Sequence, residues 1–192
     1  DGAWYYFQSN GKCVVNSWAQ IKDNWYLFGT DGKMMTGWAK VDNDYFYLNT
    51  DGRMLIGWLS DSEGNKYYMD TSNGKMSTGW KQIDNSWHYF NSNGHMMTGW
   101  IQLEDENEDS DYTESWFYYD RSGKRVENQV DKKIDGAYYT FEDGRMQTGW
   151  YKLPVTETAS ASEAAPANNS VAGYQYYDED GKRASDWRTI EG

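Results

Sequence analysis

The sequence predicts an all-β fold, a solenoid of stacked β-hairpins built from repeats of about twenty residues. Three observations lead there. A short phrase recurs, opened by Trp18, Trp38, Trp58, Trp80, Trp100 and Trp150, five of them preceded by Gly, as in Thr36-Gly37-Trp38 and Thr98-Gly99-Trp100. About seven residues after each opening Trp, in the regular units, comes an aromatic cluster: Trp25-Tyr26-Leu27-Phe28, Tyr45-Phe46-Tyr47-Leu48, Trp87-His88-Tyr89-Phe90. A turn and a basic or His-Met pair then follow, as in Gly32-Lys33-Met34, Gly52-Arg53-Met54 and Gly94-His95-Met96. Leu, Ile and Val are few, and aromatics make up 18% of the chain. A single large aliphatic core is therefore not expected, and an array whose units pack on their neighbours is.

Within a unit the elements follow from residue type. The cluster is strongly β-prone. A turn such as Asn49-Thr50-Asp51-Gly52 follows it, with Gly supplying positive φ. A second short strand, Lys33-Met34-Met35-Thr36, is expected to complete a hairpin with the cluster. The Gly before each opening Trp lets the chain step to the next hairpin. A lone hairpin is marginal in water, so the hairpins must stack. Helical spacing is absent except for a weak possibility in Ser160-Ala161-Ser162-Glu163-Ala164-Ala165, which Pro166 stops.

The whole chain, 1–192, reads as one repeat domain. Its units start near 18, 38, 58, 80, 100, 129, 150 and 187, after an initial half unit, and Gln129 replaces the opening Trp of its own. Two inserts, about 104–113 and 154–172, lack apolar periodicity and read as solvated loops. The first, from Glu104 to Asp111, is acidic but lacks the spacing of a calcium loop.

Bulk properties narrow the function. A net charge of −12 argues against nucleic acid as a partner. No transmembrane segment is expected, because no apolar run is long enough. No signal peptide is seen, and the chain starts inside a repeat, as a piece of a longer protein would. Cys13 is the one cysteine, so no intrachain disulfide can form; it stands where other repeats carry Met. His88 and His95 occupy cluster and turn positions, and the carboxylates of Thr30-Asp31-Gly32 and Glu142-Asp143-Gly144 are turn formers. No catalytic residue, no metal site and no cofactor is expected, and the chain reads as a binding module rather than an enzyme.

Strand alternation sorts each cluster into two faces. Positions two and four (Tyr26/Phe28, Phe46/Leu48, Tyr67/Met69, His88/Phe90, Phe117/Tyr119) form the expected core between hairpins. Positions one and three (Trp25/Leu27, Tyr45/Tyr47, Lys66/Tyr68, Trp87/Tyr89, Trp116/Tyr118) join the opening Trp around a gap. Three ring faces around a gap suit a quaternary ammonium, each desolvated ring contributing about 0.5–2 kcal/mol. That sum fits roughly millimolar affinity per site, near about −4 kcal/mol. An array of such sites gains avidity on a polymer.

The phrase Gly-Trp, cluster, turn, Gly-Lys-Met, Thr-Gly-Trp resembles the choline-binding or cell-wall-binding repeats of Gram-positive surface proteins, over essentially the whole chain except the inserts. Related repeats occur in glucan-binding glucosyltransferases and clostridial toxins. The resemblance implies a secreted protein held at the bacterial cell wall or surface, with choline-decorated teichoic acid or another cell-wall polymer as partner. It also implies sites between consecutive hairpins. Carried over, these are Trp80, Trp87 and Tyr118 with Met96; Trp18, Trp25 and Tyr47 with Met34; and Trp38, Tyr45 and Tyr68 with Met54. Lys66 spoils a site with Trp58, and Arg125, near the expected Met, argues against one at Trp100 and Trp116. The competing readings are stacking on glucan or host glycans, and an adhesin or structural spacer whose aromatics are only core.

Overall fold

The computed structural model describes residues 2–104, 114–154 and 173–185. Beyond their first residues, the two inserts lie outside the described residues, as does the repeat start at Trp187. Two compact units are formed, residues 1–97 and 98–192. No helix occurs among the described residues.

In the first unit, β1 (Ser17–Ile21) pairs with β2 (Asn24–Phe28), β3 (Gly37–Val41) with β4 (Asp44–Leu48), β5 (Gly57–Ser60) with β6 (Lys66–Met69), and β7 (Gly79–Ile83) with β8 (Ser86–Phe90). Every pair is antiparallel. The hairpin therefore joins the opening-Trp strand to the cluster that follows it. This corrects the expected pairing of the cluster with Lys33-Met34-Met35-Thr36. The cause is turn chemistry. Lys22-Asp23 and Asp84-Asn85 both take left-handed φ (46° and 66°; 48° and 61°), as a tight two-residue hairpin turn requires.

The Met segments do something else. Each adds one bridge to its own cluster, as in Phe28↔Met34 and Leu48↔Met54. Their amides alternate between hairpins: Met54 N–H donates to Trp25 O of the preceding hairpin (2.8 Å) and Leu55 N–H to Tyr47 O of its own (2.7 Å). The same alternation recurs at Met76 to Tyr45 (2.8 Å) and Ser77 to Tyr68 (2.8 Å). These segments thus stitch marginal hairpins into a stack.

Burial follows the alternation read from sequence except in β2, where Leu27 of the expected open face is buried and Tyr26 of the expected core face is only half-buried. Phe28, Phe46, Leu48, Tyr67, Met69, His88 and Phe90 are buried, whereas Trp25 and Tyr45 stay about four-tenths exposed (42% and 41%). An ion pair also joins neighbouring hairpins: the Lys81 ammonium donates to Asp70, which accepts from Ser72 N–H (2.8 Å) as well. The Lys81 hydrogen bond, with those from Ser72, holds the Asp70 carboxyl well below the usual carboxylate range. A depressed folded-state pKa gives stability that is complete above the unfolded value of about 3.9 and fades as pH falls below it. Thermal melts of the wild type should show a loss between about pH 4 and pH 2 that is smaller in Asp70→Asn, and equal slopes would refute the assignment.

In the second unit, β9 (Gly99–Glu104) pairs with β10 (Glu114–Tyr119). β11 (Gln129–Ile134), β12 (Ala137–Glu142) and β13 (Arg145–Met146) form one sheet, and β14 (Gly149–Lys152) pairs with β15 (Tyr174–Tyr177). The β11–β12 register slips between Gln129↔Phe141 and Lys132↔Tyr139, so Val130 and Asp131 both oppose Thr140. In the regular hairpins Gly99 faces Tyr119 and Trp100 faces Tyr118. The equivalent of the opening Trp is therefore this bulge, and Gln129 takes the place of the Gly.

Candidate functional site

Stacking decides which rings meet. In a stack, the odd-numbered face of one hairpin covers the even-numbered face of the next. Trp18 accordingly meets Phe46 edge-on (5.0 Å between ring centres), Trp38 meets Tyr67 (5.0 Å) and Trp58 meets His88 (5.3 Å). The third-position tyrosines pair within their own hairpins instead. Tyr47 lies against Trp38 (5.3 Å), Tyr68 against Trp58 (5.1 Å) and Tyr118 against Trp100 (5.0 Å). The partner Tyr expected from the next hairpin is thus replaced by its second-position neighbour.

The methionines shift as well. Met34 N–H donates to Trp4 O, and Met34 lines a cavity of about 430 Å³ with Trp4, Tyr6 and Tyr26 rather than being grouped with Trp18 and Trp25. Met54 packs in the cluster that includes Trp18, with its N–H on Trp25 O, not with Trp38 and Tyr45. Met76 holds the equivalent place beside Tyr45, and Met96 donates its N–H to Lys66 O (2.7 Å). Trp80 and Trp87 stand 6.4 Å apart at 89° in the first unit, while Tyr118 belongs to the second.

One notch of the second unit stands where the sequence argues against a site. Trp100, Trp116, Tyr139 and Met146 line a cavity of about 380 Å³. Trp100 meets Tyr139 at 4.7 Å and 58°, and its other neighbours are Tyr118 and Phe141, the latter stacked at 5.7 Å. Trp116 leaves 41% of its surface open. Burial holds the Tyr139 hydroxyl above the usual tyrosine range, so it stays neutral. Glu179 and Asp180, with Lys182 paired to Asp180 (3.2 Å), stand at the rim and leave it net negative. Arg125 had spoken against this site, yet the Met position that serves it is Met146, one hairpin further on. Arg125 is instead held by both Glu127 oxygens (2.8 and 3.1 Å) over the Phe117 ring. Odd-on-even stacking, which no spacing in the sequence encodes, selects the second-position ring and the next Met together.

Among the described residues no group of His, Cys, Asp and Glu is gathered as a metal ion would need. Converging aromatic faces beside negative charge can hold an organic cation by cation–π attraction and exclude anions.

No curated protein matches the chain in sequence. Family models do: a choline-binding repeat matches residues 15–49, 35–78 and 77–130, and a putative cell wall binding repeat matches residues 1–13. Among solved structures, choline binding protein F from Streptococcus pneumoniae is 25% identical at a TM-score of 0.70, over 96% of this chain and 55% of that one. Its structure in the presence of a peptidoglycan analogue, a tetrasaccharide-pentapeptide, gives 26%, 0.70, 96% and 56%. CbpF in complex with ipratropium is 34% identical at a TM-score of 0.62, over 76% of this chain and 42% of that one. The chain therefore spans about half the length of these neighbours. With repeat models covering residues 15–130 of its 192, the chain belongs to the choline-binding repeat family.

Proposed function

We propose that this chain is a non-catalytic anchoring module that binds choline groups of teichoic acid and so holds a surface protein at the bacterial cell wall. The observation that carries the reading is the Trp100–Trp116–Tyr139–Met146 notch, open to solvent and negative at its rim. The corners Trp18/Trp25 with Phe46 and Met54, and Trp38/Tyr45 with Tyr67 and Met76, have the same plan. At Trp58 the plan lacks a wall, because the exposed Lys66 takes the first cluster position in place of an aromatic ring. The opening rings meet their partners at steep angles (66°, 63° and 58°), which makes corners rather than the flat platforms that sugar stacking uses.

The test is a choline titration of protein labelled at its Met methyl groups. Each notch then reports through its own Met. Met146, Met54 and Met76 should shift with about millimolar dissociation constants, and Met96, beside Lys66, should not. Shifts with dextran and none with choline at tens of millimolar would favour glycan binding. Silence to both would leave the aromatics as core alone.

A further inference from the structure

The notch between hairpins β11–β12 and β14–β15 keeps the first-position ring and differs at its other positions. The bulge puts Asp131 in the opening position instead of Trp. Tyr138 holds the first cluster position, and Gln175 replaces the ring of the next hairpin's second position. Arg183 stands in the Met position: its N–H donates to Tyr138 O (2.8 Å), as Met54 does to Trp25 and Met76 to Tyr45.

From there the guanidinium enters the notch. Its central carbon lies 4.4 Å from the centre of the Tyr138 ring, and Nη1 donates to Asp131 Oδ2. Asp131 is fixed in turn by Gln175 Nε2 (2.9 Å) and the Tyr177 hydroxyl (3.0 Å). Tyr177 is fully buried, its hydroxyl also bonded to Thr140 (2.5 Å), so this floor is rigid. Lys133, 5.6 Å from the same ring, is only its cross-strand neighbour, as Lys40 is for Tyr45 (5.4 Å). Arg183 has no such explanation. An aromatic face, a carboxylate and a cation are all present, and the cation belongs to the chain.

We propose that this notch is a guanidinium site whose ligand is the chain's own Arg183, which closes it to choline and clamps the β14–β15 hairpin onto β11–β12. The chemistry discriminates between cations. A guanidinium is planar, stacks on Tyr138 and offers an N–H donor to Asp131, whereas trimethylammonium has no N–H and cannot replace that charge-assisted bond. The proposal rests on these contacts and does not need the choline reading of the other notches.

Hydrogen exchange of the β15 amides and of Ala184, whose N–H donates to Tyr176 O, reads the clamp locally. In Arg183→Ala this protection should fall at least about tenfold, the loss expected for one charge-assisted hydrogen bond and one cation–π contact. Methylguanidinium at tens of millimolar should restore it, equimolar choline should not, and Asp131→Asn added to Arg183→Ala should abolish the rescue. Arg183→Met is the fold-safe variant, since Met fills the equivalent position in neighbouring hairpins; it too should lose protection. Wild-type protection in either Arg183 variant, failure of methylguanidinium to restore it in Arg183→Ala, or restoration by choline would overturn the proposal.

Discussion

Trp116→Ala is expected to remove choline binding at the Met146 notch while leaving the second unit folded. Trp116 keeps 41% of its surface exposed and stands in the first cluster position, which faces the gap. The residues under it, Phe117 and Tyr119, form the buried face of the same strand and are untouched. Removal therefore costs little packing, about 1 kcal/mol or less for such a site. Loss of one wall of three should cost about 1–2 kcal/mol of binding, roughly tenfold or more in affinity. From the roughly millimolar affinity proposed for the intact notch, that takes the site beyond reach of ordinary choline concentrations. The Met146 methyl should cease to shift, while Met54 and Met76 continue. A Met146 shift unchanged in Trp116→Ala would mean that the ligand sits elsewhere.

Trp100 and Trp116 form this notch although Arg125, near the Met expected from their own repeat, argues against it in the sequence. Period, cluster and alternation were legible, because each is a property of a single strand or a single repeat. Trp25, Tyr45 and Trp116 were correctly placed on the open face, and Phe28, Leu48 and Phe90 on the closed one. Which hairpin's face meets which is a property of the stack. It depends on where the Met-segment amides donate: Met54 to Trp25 and Met34 to Trp4, each one hairpin back. No spacing in the sequence encodes that direction. The carried-over sets take the third-position Tyr and the repeat's own Met, whereas Tyr47 lies on Trp38, Tyr68 on Trp58, and Met54 beside Trp18. The hairpin pairing was missed similarly. Gly-rich turns after the cluster draw attention, whereas turns such as Lys22-Asp23 need left-handed φ from residues that advertise it less. The bulge at Val130–Asp131 hid behind Gln129 because an added residue shifts the register without changing composition.

Phe90→Ala should be the most destabilising of the simple truncations in the first unit. Phe90 is fully buried in the even face of β8, where it meets Trp58 of the preceding hairpin at 6.0 Å, and its backbone carries the Met96 bridge. Truncating a buried Phe costs about 3–5 kcal/mol through lost transfer energy and the cavity left behind. In a stack of marginal hairpins the cost falls on nearest-neighbour coupling, so loss should spread from β7–β8 to β5–β6 before it reaches β1–β2. Chemical denaturation should show the drop in stability, and hydrogen exchange should show that order. The contrast is Tyr45→Ala: Tyr45 is 41% exposed on the odd face, and its loss should cost about 1 kcal/mol or less. The two aromatics differ little in size, so a difference of several-fold isolates the face on which each stands. Equal costs would mean that the odd face is core as well, and then the open notches would be packing defects rather than places built to receive a cation.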